Sequence, residues 1–323
     1  MAKQLNEITA CIDKELKEFE KMFSDCFEFE NSSLKSMLSY VLSMKGKRVR
    51  PILTFLVAAS IGKINTQTKK SAVIIELLHT ASLLHDDVID ASSLRRGRKT
   101  LNALWDNRSA ILIGDYLYGK ALSLIETQED FNLMPVYAKI AMDLPSGEIK
   151  EEDSTKEKDI SLDKYLQVIY EKTASLIEAS VLSAYISNDT KQVSREQMQE
   201  LGHCIGMAFQ IKDDILDYSE NTGKEKGKDL KEKKITLPFI YYFRSLNEQE
   251  QEETLDFLFS EDKDEKEIER FIFLLSESGA VKQAEEKMEY YTQRAESIIS
   301  LMPDNVYSRS LLDLVSYLTK REH

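Results

Sequence analysis

Two short acidic stretches could do chemistry: Asp86-Asp87-Val88-Ile89-Asp90 and Asp213-Asp214-Ile215-Leu216-Asp217. Both read DDxxD, and each follows an apolar run, ASLLH before the first and GMAFQIK before the second. On a helix, the first and last aspartates of such a motif share a face, about 6 Å apart by rise. A row of carboxylate oxygens suits a hard cation such as Mg²⁺, which keeps positions open for water or phosphate. A single DDxxD is most simply a solvated acidic face. Two copies pressed against apolar segments call for cationic partners.

Cations cluster near both motifs. Lys45-Gly46-Lys47-Arg48-Val49-Arg50-Pro51 is one group; Arg95-Arg96-Gly97-Arg98-Lys99 follows the first aspartate motif directly; six lysines at 224–234 follow the second. Arginine grips phosphate oxygens bidentately and lysine adds a point charge. Carboxylates, lysines and arginines in this order describe a site for a polyanion bridged by metal, with a diphosphate as the simplest candidate. Lys47 and Arg50 are spaced to share a helix face. Gln210, three before Asp213, can join the metal face. His79 lies two turns before Asp86. His85 should point elsewhere, into packing or behind the site.

Helices must position these groups. Leu5, Ile8, Ile12, Leu16, Phe19 and Phe23 step by three or four, as do Ile268, Phe271, Leu274 and Leu275 near the other end. No period-two strand and no Asn-Gly or Asp-Gly hairpin signal appears. Eleven glycines and five prolines in 323 residues are too few for turn-rich sandwiches or propellers. The expected class is all-α with long helices. Ser146–Ser161 and Ser219–Lys234 are polar and aperiodic, and read as loops or lids at one mouth of the bundle. Helical patterns continue on both sides of each, so residues 1–323 read as a single domain.

The net charge of −13, from 43 basic and 56 acidic residues, argues against nucleic acid and anionic membranes as partners. Three cysteines, Cys11, Cys26 and Cys204, form no close pair and suit a reducing compartment. The first residues lack the apolar core of a signal peptide, and the longest apolar stretch, Pro51–Gly62, is too short to span a bilayer. A cytoplasmic location is expected.

From about Lys45 to Pro238 the chain resembles the trans-isoprenyl diphosphate synthases, or polyprenyl synthetases. The matching motifs are GKRVRP at 46–51, HTASLLHDDVID at 79–90, RRG at 95–97, GD at 114–115, GE at 147–148, KT at 172–173, FQIKDDILD at 209–217 and KDLKEKKITLP at 228–238. The resemblance implies an all-α bundle around a central cavity, acting as a homodimer. In it, Asp86, Asp87, Asp90, Asp213, Asp214 and Asp217 hold about three Mg²⁺ ions on the diphosphate of an allylic substrate. Arg95, Lys172, Thr173, Gln210 and Lys228 would complete that allylic site. Lys47, Arg50, His79 and Arg96 would bind the diphosphate of isopentenyl diphosphate. The implied reaction ionises the allylic diphosphate, adds isopentenyl diphosphate head to tail, and gives the lost proton to the departing diphosphate. No Ser-His-Asp or Cys-His set is needed, and none is evident. The chain departs from the family at Lys45, Glu151 and Lys233, where Gly, Gln and Gly are frequent, which affects the lids rather than the metal site.

Product length enters through Ala81 and Ser82, five and four residues before Asp86. Short-chain members often carry Phe or Tyr at one of these positions. Small residues leave the tunnel open and point to a medium or long product, such as heptaprenyl or octaprenyl diphosphate for quinone side chains, grown on farnesyl or geranylgeranyl diphosphate. Tyr116, Tyr118 and Leu122 are candidates for a deeper floor. Geranylgeranyl or farnesyl diphosphate is the alternative product. A terpene cyclase would need Ser or Thr and then Glu where Asp217 and Asn221 stand, and a silent partner subunit would lack some of the six aspartates.

Overall fold

The computed structural model describes residues 4–27, 32–44, 46–126, 131–188, 190, 192–218 and 227–321. The elements used below are α1 (Asp13–Asp25), α2 (Val49–Ile61), α3 (Thr66–Ile89), α4 (Asn107–Glu126), α5 (Met134–Glu157), α6 (Leu162–Ile169), α7 (Ser175–Ile186), α8 (Arg195–Asp217), α9 (Leu237–Arg244), α10 (Ala280–Ile299) and α11 (Val306–Lys320). Further helices, among them Ser32–Ser43, Glu248–Phe259 and Glu265–Glu277, complete the chain. The expected all-α class holds, with one exception. Leu94–Arg95 (β1) and Arg98–Lys99 (β2) pair antiparallel, and Arg96 and Gly97 turn between them at φ 54° and 73°. That is the positive-φ turn of a tight hairpin, usually made by Asn-Gly; here an arginine takes the first position.

Start signals are local. Asn65 accepts the Thr68 amide at α3, and Ser194 accepts the Gln197 amide at α8, each answered by the side chain three residues on. The two aspartate motifs therefore close two helices of 24 and 23 residues. α7 is buried on all sides through Ala184, as a central helix is, with Glu178 and three serines among its buried residues. It packs against α2, α3 and α8, while α3 packs against α4 and α8 against α10. One large core runs through these helices, with a smaller cluster of Tyr218, Leu230, Phe239 and Phe271 beside it.

Two expectations about loops need correction. Ser146–Ser161 is mostly helix: α5 continues through Pro145 to Glu157 and ends where Lys158 turns left-handed at φ 53°. Of Ser219–Lys234, residues 219–226 lie outside the described residues, and Lys228–Lys231 form a single helical turn. Lys45 also lies outside them. Lys47 does not share a helix with Arg50, because Arg48 is left-handed (φ 54°) and α2 begins only at Val49.

Candidate active site

A cavity of about 240 Å³ opens where α3, α5, α6, α8 and the Tyr170–Ala174 turn converge. Asp86, Asp90 and Asp214 line it together with Arg95, Lys172, Thr173 and Gln210. So do Glu148, Glu151, Tyr165, Asp229 and Lys234. Lys172 and Thr173 project from a π-helical turn, a widened register frequent at functional sites. Glycines hold that turn on both sides. A Cβ on Gly147 of α5 would lie 2.8 Å from the Lys172 amide nitrogen, and one on Gly206 of α8 would lie 2.4 Å from the Ala174 Cα. Only glycine permits these approaches.

Both carboxylate rows sit at helix C-termini, where the backbone dipole disfavours negative charge. Burial, reinforced by Glu148, pushes Asp86 up to about 7. Burial pushes Asp214 up to about 6, against hydrogen bonds that favour its charged form. Those bonds occupy both oxygens: Gln210 Nε2 donates to Oδ1 at 3.0 Å, and Tyr165 Oη (2.6 Å) and the Leu237 amide (3.3 Å) donate to Oδ2. Asp217 accepts the amides of Lys228 and Asp229, both at 3.1 Å. Asp213 pairs with Arg321 at 2.7 Å. Asp87 pairs with Arg95 at 2.7 Å, leaving its other oxygen buried without a partner. Among the described residues no protein donor reaches the side chains of Asp86 or Asp90. Nor do any three His, Cys, Asp or Glu side chains converge to cage a metal by themselves. Asp86 and Asp90, with their carboxylate oxygens facing the cavity, are donors of the kind a hard cation takes, but water or phosphate oxygen would have to finish its shell.

A second, small pocket lies across Leu83 and Arg95, which line both spaces. It is lined by Arg48, Glu76, His79, Arg96 and Asp87. His79 is held neutral by burial and by Arg50 and Arg96 beside it. Burial lowers Arg50 to about 10, and its Nε has no partner. Arg96 is admitted by Gly46, where a Cβ would stand 2.4 Å from its guanidinium. Arg48 is spent on structure, pairing with Glu20 (2.9 Å) and Glu76 (2.8 Å) over the Phe23 ring. Lys47 lies apart, over the ring of Tyr317 at 5.6 Å.

A third cavity, about 260 Å³, opens between α3, α4 and α5. It shares Asp86, Glu148 and Lys172 with the central one and adds Ser82, His85, Ile89, Tyr118, Leu144, Pro145 and Ile149. Ser82 faces this space. Ala81 does not face it but is fully buried in the core, which corrects the expectation that both look onto the tunnel. His85 also lines it, contrary to expectation. Its ring stacks on Tyr118, and its Nε2 lies 3.2 Å from the Ile111 carbonyl and 3.5 Å from Asp115. Leu122 is 64% exposed on α4 and floors nothing within this chain.

Of the expected allylic set, Arg95, Lys172, Thr173 and Gln210 meet in the central cavity. Gln210 reaches Thr173 (2.7 Å) and Asp214 rather than Asp213. Lys228 points away to Glu232 at 3.0 Å, and Lys234 takes the place at the cavity wall. Tyr165, Lys234 and Arg321 were not foreseen. Lys234 had a signal in the KKITLP motif that closes the lysine run, whereas Arg321 had none.

Comparison with known proteins shows this helical chain to be a prenyltransferase. The polyprenyl synthetase family profile matches residues 31–275. The octaprenyl diphosphate synthase of Haemophilus influenzae is 34% identical over 87% of this chain and 85% of its own length. An all-trans-nonaprenyl-diphosphate synthase (geranyl-diphosphate specific) of Rhodobacter capsulatus is 34% identical over 90% and 92%. The crystal structure of a decaprenyl diphosphate synthase from the same organism superposes with a TM-score of 0.93 at 28% identity, covering 99% and 100%. The chain belongs to the polyprenyl synthetase family. Among its described residues no helix is long and apolar enough to cross a membrane.

Proposed function

We propose that this chain is a medium- or long-chain all-trans polyprenyl diphosphate synthase. It extends an allylic diphosphate, farnesyl or geranylgeranyl, with isopentenyl diphosphate. The observation that carries the reading is the third cavity, which shares Asp86 with the central one and reaches down α3 to a residue as small as Ser82. The relatives named for eight- and nine-unit products point the same way.

Asp86 and Asp90 would hold Mg²⁺ with Asp213, whose pairing to Arg321 would open. Asp214 and Asp217 accept protein hydrogen bonds on both oxygens but keep lone pairs free, so they and Asp87 would remain available to the metal's shell. When bound, the metal would stabilise charge accumulating on the diphosphate as its carbon–oxygen bond breaks. Lys172, Lys234 and Arg95 offer cations to the allylic phosphate oxygens, and Thr173 a hydroxyl. Arg50, Arg96 and neutral His79 offer donors to the second diphosphate, which would satisfy the orphaned Arg50 Nε. Leu83, Val168 and Ile169 present hydrocarbon to the cavity and keep water from the allylic cation.

The working unit is a single domain over residues 1–323, cytoplasmic and homodimeric. Ile111 and Leu122 on α4, and Met142 and Ile149 on α5, are exposed at spacings that place each pair on one helix face. A second copy would cover them. The reading is tested by incubating purified protein with farnesyl diphosphate, labelled isopentenyl diphosphate and Mg²⁺, then sizing the dephosphorylated products. Metal-dependent products beyond twenty carbons are expected; no elongation with metal present would refute it.

A further inference from the structure

The cations of the central cavity are already occupied. Lys172 Nζ lies between two carboxylates, Glu148 at 2.7 Å and Glu151 at 2.5 Å, with only 23% of its side chain exposed. Arg95 is held by Asp87, and Lys234 by Glu232 at 2.7 Å. Seven carboxylates line the cavity against three cations. A diphosphate that enters without metal meets an excess of like charge, and each cation it could use must first release a carboxylate.

Glu148 and Glu151 differ in what they touch. Glu148 lines the third cavity as well and sits close enough to Asp86 to raise it. Glu151, one turn further along α5, lines the central cavity and pairs with Lys172. It is also the leading charge that, with Glu232, holds Lys234 above its ordinary range despite burial. One carboxylate therefore acts on both lysines that face the allylic diphosphate.

We infer that Glu151 is a displaceable stand-in for a phosphate oxygen: it competes with the substrate's diphosphate for Lys172 and so makes diphosphate binding depend on metal. The inference rests on the diphosphate-site reading above. Once displaced, Glu151 remains beside the phosphate oxygens, and their repulsion is relieved only when a cation stands between them. After turnover, its return to Lys172 favours release of the inorganic diphosphate.

The test is calorimetric titration of the full-length protein with inorganic pyrophosphate, in EDTA and in saturating Mg²⁺. In EDTA, Glu151→Gln should bind pyrophosphate roughly 5–20-fold more tightly than wild type. In Mg²⁺ the two should agree within about threefold. Glu151→Asp, which keeps the charge, should resemble wild type in EDTA. In a Lys172→Met background, Glu151→Gln should give no gain, since the competed cation is gone. A loss of packing can weaken binding but does not tighten it, so the sign separates competition from a structural role. Unchanged or weaker metal-free affinity in a folded Glu151→Gln protein overturns the inference while leaving the site in place. Failure of wild type to bind pyrophosphate even with Mg²⁺ overturns the site itself.

Discussion

Ser82 and Ala81 are adjacent and both small, yet they occupy different surroundings, so enlarging each should fail differently. Ser82 lines the cavity beneath Asp86, its hydroxyl donating to the His79 carbonyl at 3.0 Å. Four residues of helix place it about 6 Å from Asp86. A prenyl unit adds four carbon–carbon bonds of ~1.5 Å along the chain, or about 5 Å once the zigzag is allowed for. A benzyl group at Ser82 therefore meets the tail after its first one or two units. Ser82→Phe should cap products at ten to fifteen carbons, with geranyl diphosphate still accepted and farnesyl diphosphate extended poorly. Stability should change little, because the ring enters open space. Ala81→Phe places the same ring in a fully packed core, where overpacking costs about 1–3 kcal/mol. That protein should melt several degrees lower while any active fraction makes products of normal length. The assay is product sizing from dimethylallyl, geranyl and farnesyl starters, with thermal unfolding of each variant alongside. Wild-type product length from Ser82→Phe would refute the assignment of the cavity to the tail. Shortening by a stable Ala81→Phe would refute the division between the two positions.

Two further outcomes follow from backbone and charge. Asp86 and Asp214 bind protons more readily folded than unfolded, so their contribution to stability is greatest below about pH 4 and is lost as pH rises through about 6 and 7. In EDTA at pH 8, Asp86→Asn should raise stability by roughly 1–2 kcal/mol, a shift of one to a few degrees, and the gain should vanish at pH 4, while synthase activity is lost; an equal gain at both pH values would exclude the charge as its cause. Lys233 holds φ 58°, a conformation that strains a side chain by about 1–2 kcal/mol, and its ion pair is with an exposed partner, Glu261. After allowing for the extra freedom glycine has when unfolded, Lys233→Gly should stabilise by about 0–1 kcal/mol with activity unchanged, as denaturant titration and initial rates would show. A large loss of activity would instead put Lys233 in the site.

Much of this was legible in the residues, where function and local pattern coincide. Asp86 and Asp90 share a helix face because their spacing is one turn, and the apolar run before them is the face that packs. The reading failed where a functional surface imitates a loop. On α5 beyond Pro145, Gly147, Glu148, Glu151, Ser154 and Thr155 either hold the Lys172 turn or line the cavity. A helix whose inward face is polar by function loses its hydrophobic period, and the exposed face was polar already. The Arg95–Lys99 hairpin was missed for a related reason. Arg96 takes a positive φ that Asn would fill more easily, and its side chain lines the neighbouring pocket. Ala81 and Ser82 could not be told apart because adjacent helical residues differ by 100°, and the helix's rotation is fixed by its neighbours. Arg321 meets Asp213 across 108 residues, and no local pattern encodes such a contact.

The Asp213–Arg321 pair is one of several that bear on how the site works. Carboxylates at the C-terminal ends of α3 and α8 oppose both their helix dipoles and their burial, and the chain offsets this with its own cations. Arg95 answers Asp87, Arg321 answers Asp213, and Lys172 and Lys234 are themselves answered by glutamates. An exposed surface pair would contribute little, but these are half-buried, and on the proposed reading each holds a group that substrate or cation would use. On that reading the resting site is a set of internal ion pairs that substrate and cation would exchange for pairs of their own. Stability and catalysis draw on the same groups. Neutralising single carboxylates should stabilise the resting protein at Asp86 and loosen its metal requirement at Glu151, with neither change leaving an enzyme that keeps its metal control.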